Sequence, residues 1–156
     1  MLDRAARAKE LFVAVSRSKS MQPVEQVEVV ANRGFAGCVH GRPGSRRQLL
    51  LVESETLARF ELSPGALREN ITTEGLRHRD LVAGQHLIIG DAILQITGPC
   101  EPCERLEEIR TGLQQELDGR RGVLCRVIKG GTIRRGDCIV QTAGFPDAEA
   151  LLLGLR

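Results

Sequence analysis

Apolar and polar residues alternate in short runs along most of this chain, and a short period of that kind is the mark of strands. Residues 1–10 are charged and read as a short helical or frayed lead-in. Leu11-Phe12-Val13-Ala14-Val15-Ser16 then opens the pattern as a strand. Val24-Glu25-Gln26-Val27-Glu28-Val29-Val30 reads as a second strand, reached through the polar connection Arg17–Pro23. Gln48-Leu49-Leu50-Leu51-Val52 is nearly all apolar, as a buried strand should be. Ser54-Glu55-Thr56-Leu57-Ala58-Arg59-Phe60 predicts a short helix with Ser54 as its N-cap, ended by Ser63-Pro64-Gly65. Leu67–Leu76 is a polar strand or loop.

Gln85–Ile89 and Ala92–Ile96 flank Gly90-Asp91, a tight hairpin signal. Leu106, Ile109, Leu113 and Leu117 recur at helical spacing and predict a helix over Glu104–Leu117. Val123–Ile128 and Cys138–Val140 read as strands, with Lys129-Gly130-Gly131 as a turn and Asp147–Leu153 as a terminal helix in the tail 146–156. Many short strands, glycine turns and few helices point to a mainly β protein. The expected architecture is a closed or partly open antiparallel β-barrel carrying a few short helices. With 156 residues the chain is expected to be one domain, residues 1–156, large enough for a real core.

Charge narrows the picture a little. The net charge is only +2, so a whole-protein grip on nucleic acid is not expected. The absence of Trp and Tyr also removes the usual stacking platforms for single strands. The cationic side is 19 Arg against 3 Lys. Arginine offers a rigid fork that matches phosphate and carboxylate, although codon bias in a genome rich in G and C produces the same excess. Five cysteines, Cys38, Cys100, Cys103, Cys125 and Cys138, follow a charged start with no apolar leader, and no apolar run reaches membrane-span length. The expectation is a cytoplasmic chain with reduced thiols and no membrane contact.

Two stretches carry candidate chemistry. Gly98-Pro99-Cys100-Glu101-Pro102-Cys103-Glu104-Arg105-Leu106 places two thiols between a buried strand and the predicted helix. Unsatisfied N–H groups at a helix start favour an anion, so Cys103 there would ionise more readily, with Glu104, Glu107 and Glu108 partly cancelling that field. The other stretch, Arg33–Arg47, holds four glycines, a proline and four arginines between its ends. It is a loop on any reading, equally suited to binding and to a solvated surface turn.

These pieces, in this order, resemble the MOSC domain, the module at the C-terminal end of molybdenum cofactor sulfurases and a stand-alone protein in bacteria. The likeness runs from about Leu11 to about Gln141. It rests on Gly34-Phe35-Ala36-Gly37-Cys38-Val39-His40-Gly41, on Arg47 heading a strand, and on Pro64-Gly65 followed by Glu69-Asn70-Ile71-Thr72-Thr73-Glu74-Gly75. It also rests on Pro102-Cys103 and on Arg126-Val127-Ile128-Lys129-Gly130-Gly131-Thr132-Ile133 with Gly136-Asp137. The resemblance implies a β-barrel like the one inserted in pyruvate kinase. It implies binding of the molybdenum cofactor, molybdopterin, or carriage of sulfur to a metal–sulfur enzyme. Cys103 matches the family's cysteine, as a persulfide bearer or molybdenum ligand. Arg47, Arg68 and Arg126 are candidates for holding the anionic part of the cofactor, and His40 and Asn70 for lining the cleft.

The resemblance covers only the MOSC module. No pyridoxal phosphate is expected in this chain, because the sulfurase domain is absent. A reductase of N-hydroxylated compounds, the enzymatic alternative, would need an external electron donor. One departure stands out: the family's usual Gly-Asp-x-His is here Gly37-Cys38-Val39-His40, a thiol in place of a carboxylate. That change opens a non-catalytic alternative, a zinc-stabilised module on Cys38, His40, Cys100 and Cys103, whose three sulfurs and one nitrogen suit a tetrahedral site. Cys100 and Cys103 could also form a dithiol pair. Cys125 and Cys138 read as core, and His78 as surface.

Overall fold

A computed structural model of the chain describes residues 5–142. It is mainly β. Strands β1 (Arg7–Val13), β2 (Gln22–Val24), β3 (Gln26–Val30), β4 (Gly34–Phe35), β5 (Leu49–Glu53) and β6 (Ile71–Glu74) precede the hairpin β7 (His86–Ile89) and β8 (Ala92–Pro99). β9 (Val123–Lys129), β10 (Gly131–Arg134) and β11 (Ile139–Gln141) follow. The helices are short: α1 (Ser54–Arg59), α2 (Leu113–Glu116) and two 3-10 turns at His78–Asp80 and Glu104–Glu108.

Eight strands form one sheet in the order β11-β7-β8-β9-β5-β6-β1-β2, and β10-β3-β4 form a second. The larger sheet curls. Backbone bonds from Ala8 N–H to the Asp137 carbonyl (2.8 Å), Gly136 N–H to Ala8 (2.7 Å) and Ile139 N–H to Ala6 (2.8 Å) bring β1 against the approach to β11. The interior is filled by alternate residues of these strands, among them Leu11, Leu49, Leu51, Ile71, Leu87, Leu94, Cys125 and Val127. That is the partly open barrel expected from the strand pattern. One pair departs from the antiparallel expectation: β5 and β6 are parallel, in register Leu51↔Ile71. A parallel pair needs a crossover, and residues 54–70, with α1, supply it.

β5 explains its own apolar run. Leu49 and Leu51 face the barrel, while Leu50 and Val52 face a second apolar cluster of Leu57, Leu67, Leu106, Leu113 and Leu117. Both faces are buried, so no polar alternation appears.

Other expectations need correction. β1 begins at Arg7, inside the stretch read as a frayed lead-in, because Arg7 and Ala8 pair with Glu74 and Thr73 of β6. The stretch Val24–Val30 is two strands, since β2 pairs with β1 while β3 turns to β10. Ser54 is not the N-cap of α1. Glu53 holds that place, and the Ser54 hydroxyl donates to the Glu55 carboxylate at 3.3 Å.

The helix predicted over Glu104–Leu117 is broken. Gly112 adopts φ 89° before α2, leaving a five-residue 3-10 turn and one turn of α-helix. The carboxylate of Glu107 accepts from Gly112 N–H (2.9 Å) and Gln114 N–H (3.0 Å), which holds this junction. Those two donors keep its carboxyl below the ordinary glutamate range. Ile109, expected on the buried face, is exposed. Cys138 is exposed and not core, whereas Cys125 is fully buried and its thiol is pushed far up by burial. His78 is not a free surface residue: its Nε2 lies 2.8 Å from Thr73 Oγ1. The segment expected as a terminal helix, Asp147–Leu153, lies outside the described residues. Among the described residues no helix is long and apolar enough to cross a membrane.

Candidate functional site

The loops at one end of the barrel enclose a cleft of about 810 Å³. Four of them meet there: the turn after β1, the glycine-rich loop before β5, the Pro64–Asn70 segment of the crossover, and the cysteine-bearing stretch after β8. His40, Arg47, Arg68, Asn70, Cys100 and Cys103 all line this one cleft. Residues spread over more than 60 positions of sequence thus share one cleft.

Each wall has a local cause. Gln48 is 1% exposed and ties down the glycine-rich loop. Its amide donates to Asn32 Oδ1 and to the Arg42 carbonyl (both 3.2 Å), while its Oε1 accepts Val127 N–H from β9 (2.9 Å). Glu69 is fully buried and holds the Pro64-Gly65 turn, accepting Gly65 N–H and the Thr72 hydroxyl, both at 2.9 Å. Arg68 sits at φ 61°, a left-handed backbone that costs a non-glycine residue about 1–2 kcal/mol. From there its guanidinium donates to the carbonyls of Lys19 (2.8 Å) and Ser16 (3.1 Å), which fixes the opposite wall.

Asn70 is a knot and has little left to offer a ligand. Its Oδ1 accepts Leu50 N–H (3.0 Å), and its amide donates to the Phe12 carbonyl (3.4 Å) and to Cys38 Sγ (3.5 Å). Cys38 also accepts Ala14 N–H at 3.4 Å. Burial opposes ionisation of this thiol. The His40 side chain, the backbone N–H groups of Ala14 and His40, and the Asn70 amide outweigh it and bring the thiol down from 9.0 to about 7.

Cys103 is exposed at the mouth, and Cys100 is buried beside it, its N–H bonded to the Gly122 carbonyl at 2.8 Å. Cys103 does not head the expected helix; it precedes a five-residue 3-10 turn, which has almost no dipole to offer. Its place in the cleft rests on the loop instead.

The zinc set is not assembled. Among the described residues no three His, Cys, Asp or Glu side chains come together to hold a metal ion. Cys38 accepts from Ala14 N–H and the Asn70 amide and does not line the cleft that holds Cys100 and Cys103. Arg126 does not reach the cleft. It shares a strand face with Leu124, which does line it, but lies two residues, about 7 Å, further along β9. There its Nε donates to Gln95 Oε1 at 2.7 Å.

The structure adds arginines that the sequence reading passed over. Six line the cleft, Arg17, Arg42, Arg47, Arg68, Arg105 and Arg121, against one carboxylate, Glu108. The ion pairs among the described residues use Arg7, Lys9, Arg110 and Arg135, and none of these six. Arg121 is 9% exposed; its Nη2 donates to the Leu67 carbonyl at 2.8 Å, while Nε and Nη1 are buried without a partner. A buried guanidinium with free donors is costly unless an anion meets it. Only the flanking glycines of Gly119-Arg120-Arg121-Gly122 hinted at this position.

The arrangement offers many cationic donors, a small apolar wall of Leu49, Leu106 and Ile109, and accessible sulfur at the mouth. Chemically, such guanidinium donors can take an anion, and an accessible thiol can meet a soft metal or another sulfur.

Comparison with known proteins agrees in fold. The structure is similar to the YuaD protein from Bacillus subtilis, at 20% identity and TM-score 0.75, covering 90% of this chain and 98% of that one. It is similar to YiiM from Geobacillus stearothermophilus, at 21% identity and TM-score 0.75, covering 92% and 78% of the two chains. YiiM from Escherichia coli aligns at 21% identity and TM-score 0.68, covering 90% and 72%. No curated protein matches the sequence. The family model of the MOSC domain matches residues 39–140, about two thirds of the chain and nearly all of the cleft's walls, and the chain belongs to the MOSC domain family.

Proposed function

We propose that the cleft binds a molybdenum–pterin cofactor, with Cys103 as the sulfur ligand at its metal end. The observation that supports this most is the pairing of an accessible thiol with Arg121, whose buried guanidinium has two nitrogens without partners. The residues present fit the group. Guanidinium forks suit its phosphate and the carbonyl edge of its pterin, and a thiolate suits a soft metal centre. When bound, such a cofactor supplies a redox-active metal–sulfur centre. The chain's own part is to hold and orient it: Arg121 and Arg68 at depth, Arg47 and Arg105 nearer the mouth, and Cys103 beside them. Reduction of N-hydroxylated compounds in this cleft would draw electrons from an external donor.

A second reading, carriage of sulfur on Cys103, is favoured by the exposure of that thiol. A carried sulfur has to be reached both by its donor and by an acceptor, here a metal–sulfur enzyme. Both readings place the protein in the cytoplasm, where thiols stay reduced.

Elemental and pterin analysis of protein from a host competent in cofactor synthesis tests this. Near-stoichiometric molybdenum and pterin are expected in the wild type, with molybdenum lost in Cys103→Ser and pterin reduced in Arg121→Met. Protein without either, from cells whose other molybdoenzymes are loaded, would sink cofactor binding. A gain of one sulfur mass on Cys103 would then remain as the sign of a carrier.

A further inference from the structure

Residues 15–20 cross from β1 to β2 as a run of bends with no strand or helix of their own, and all but Ser16 are exposed. Both ends of the run are fixed. Ala14 is buried, gives its N–H to Cys38 Sγ at 3.4 Å and takes Val39 N–H on its carbonyl at 2.8 Å. Met21 is buried against Phe12 and Ala14. Between those ends most hydrogen bonds are local. Lys19 N–H donates to Ser16 Oγ at 3.1 Å, the hydroxyls of Ser16 and Ser18 lie 3.4 Å apart, and the Gln22 amide donates to the Ser20 carbonyl at 3.5 Å. Among the described residues, the only two that tie the run to a distant part of the chain come from Arg68, to the carbonyls of Lys19 and Ser16.

Arg68 itself is firmly placed. Its neighbours Leu67, Glu69 and Asn70 are buried, and its own N–H closes a turn on the Gly65 carbonyl at 2.9 Å. A guanidinium carries five N–H groups, and the two carbonyls take two of them. Arg68 makes none of the ion pairs among the described residues, and it lines the cleft, as do Arg17, Ser18 and Ser20 of the run above. Its other donors are therefore free for an anion in the cleft, which accepts more strongly than a carbonyl does. One rigid planar group then holds a ligand on one side and the run 15–20 on the other.

We propose that residues 15–20 form a strap that an anion in the cleft closes through Arg68, bringing Arg17 over the bound group. The inference rests on the anion-binding reading above. With both ends fixed and a single side chain tying its middle, the strap can open locally while the barrel stays folded. The coupling is reciprocal: an anion that steadies Arg68 steadies the strap, and a closed strap holds Arg68 ready for the anion.

Limited trypsin digestion of the full chain tests this. The strap carries two cleavage sites, Arg17 and Lys19, and Lys19 does not line the cleft, so its protection reports the strap and not direct cover by the ligand. Cleavage follows the open population when opening is fast. Inorganic phosphate at about ten times its dissociation constant is expected to slow the cut after Lys19 by up to about ten-fold. Cuts after the exposed Arg77 and Arg79 should not change, nor should chloride at matched ionic strength protect. Arg68→Ala should be cut after Lys19 several-fold faster without phosphate and should lose the protection. Arg68→Lys, which keeps the charge but not the fork, should lose most of it too. Thermal shift on the same samples reports whether phosphate is bound. A shift without protection of Lys19 overturns the strap and leaves the anion site standing. If phosphate gives neither shift nor protection, the anion site falls and the coupling with it. Protection that persists in Arg68→Ala, or a wild-type cutting rate in that variant, overturns the role of Arg68. Should the variants fail to fold, the two wild-type readouts decide.

Discussion

Arg68 donates to the carbonyl of Lys19 at 2.8 Å, 49 residues away in sequence, from a backbone at φ 61°. One residue thus combines backbone strain with the tie that closes the cleft's wall, and the two can be separated. Arg68→Gly removes the tie and relieves the strain, while Arg68→Ala removes the tie and keeps the strain. Arg68→Gly is expected to be the more stable of the two by about 1 kcal/mol. Both should speed hydrogen exchange at Lys19, whose N–H bonds to Ser16 Oγ at 3.1 Å. Thermal unfolding and amide exchange check the two halves. Equal stability of the variants would mean that the left-handed backbone relaxes without Arg68.

Arg121 is the buried one among the cleft's arginines, with two nitrogens that have no partner. Arg121→Met, which keeps much of the buried bulk, should leave stability unchanged or raise it by about 1 kcal/mol, because an unpaired buried cation is lost. The wild type should be stabilised by millimolar inorganic phosphate and the variant much less, since only a bound anion lends stability by mass action. Thermal shift with a phosphate series reads this, with chloride at matched ionic strength as the control. Equal shifts in both proteins would remove Arg121 from the anion site.

His78 predicts a dependence on acid. Burial brings its pKa down from 6.5 to about 4. The unfolded chain therefore takes up this proton before the folded one does. Stability from the neutral ring is complete above about pH 6.5 and is lost as pH falls toward 4. By pH 4.5 the loss from this group is about 2–3 kcal/mol. The drop in urea midpoint between pH 7 and pH 4.5 should be smaller in His78→Gln. Parallel pH profiles would show that His78 ionises freely in the folded state.

Gly122 sets Arg121 in place. At φ 128° a Cβ here would lie 2.4 Å from the Leu51 carbonyl oxygen and 3.0 Å from Val52 Cγ2. Both neighbours belong to β5 in the sheet, so they cannot move aside cheaply. Gly122→Ala is expected to cost at least about 2 kcal/mol and to weaken phosphate binding through Arg121. Denaturant unfolding settles the first, and a variant within 0.5 kcal/mol of wild type would show that this corner of the barrel gives.

Local pattern alone determined many of the strands and turns of this protein, though not the start of β1, the split of β2 from β3, or the short strands β4 and β10. β4 at Gly34–Phe35 and the 3-10 turn that replaces the expected helix after Cys103 do not follow from spacing and residue type, whereas the hairpin at Gly90-Asp91, the doubly buried β5 and the irregular stretch from Ala36 to Arg47 do. Such features depend on neighbours a few residues apart, and those are visible in sequence. The order of motifs carried the family, and with it the nomination of His40, Arg47, Arg68, Asn70 and Cys103; that these five line one cleft is a fact of the fold.

Tertiary structure decided the rest. Arg126 was excluded and Arg121 admitted by where β9 runs relative to the loops, which no periodicity records. The break at Gly112 was decided by a carboxylate, Glu107, that receives the exposed N–H groups, and the parallel β5–β6 pair by a crossover whose direction the alternation of residues does not encode. Cys38 is the sharpest case. His40, two residues on, is one of the groups that lower its thiol, but the others belong to Ala14 and Asn70, 24 and 32 residues away. Ionisation answers to the donors and the burial around a sulfur, and those exist only once distant segments of the chain have met.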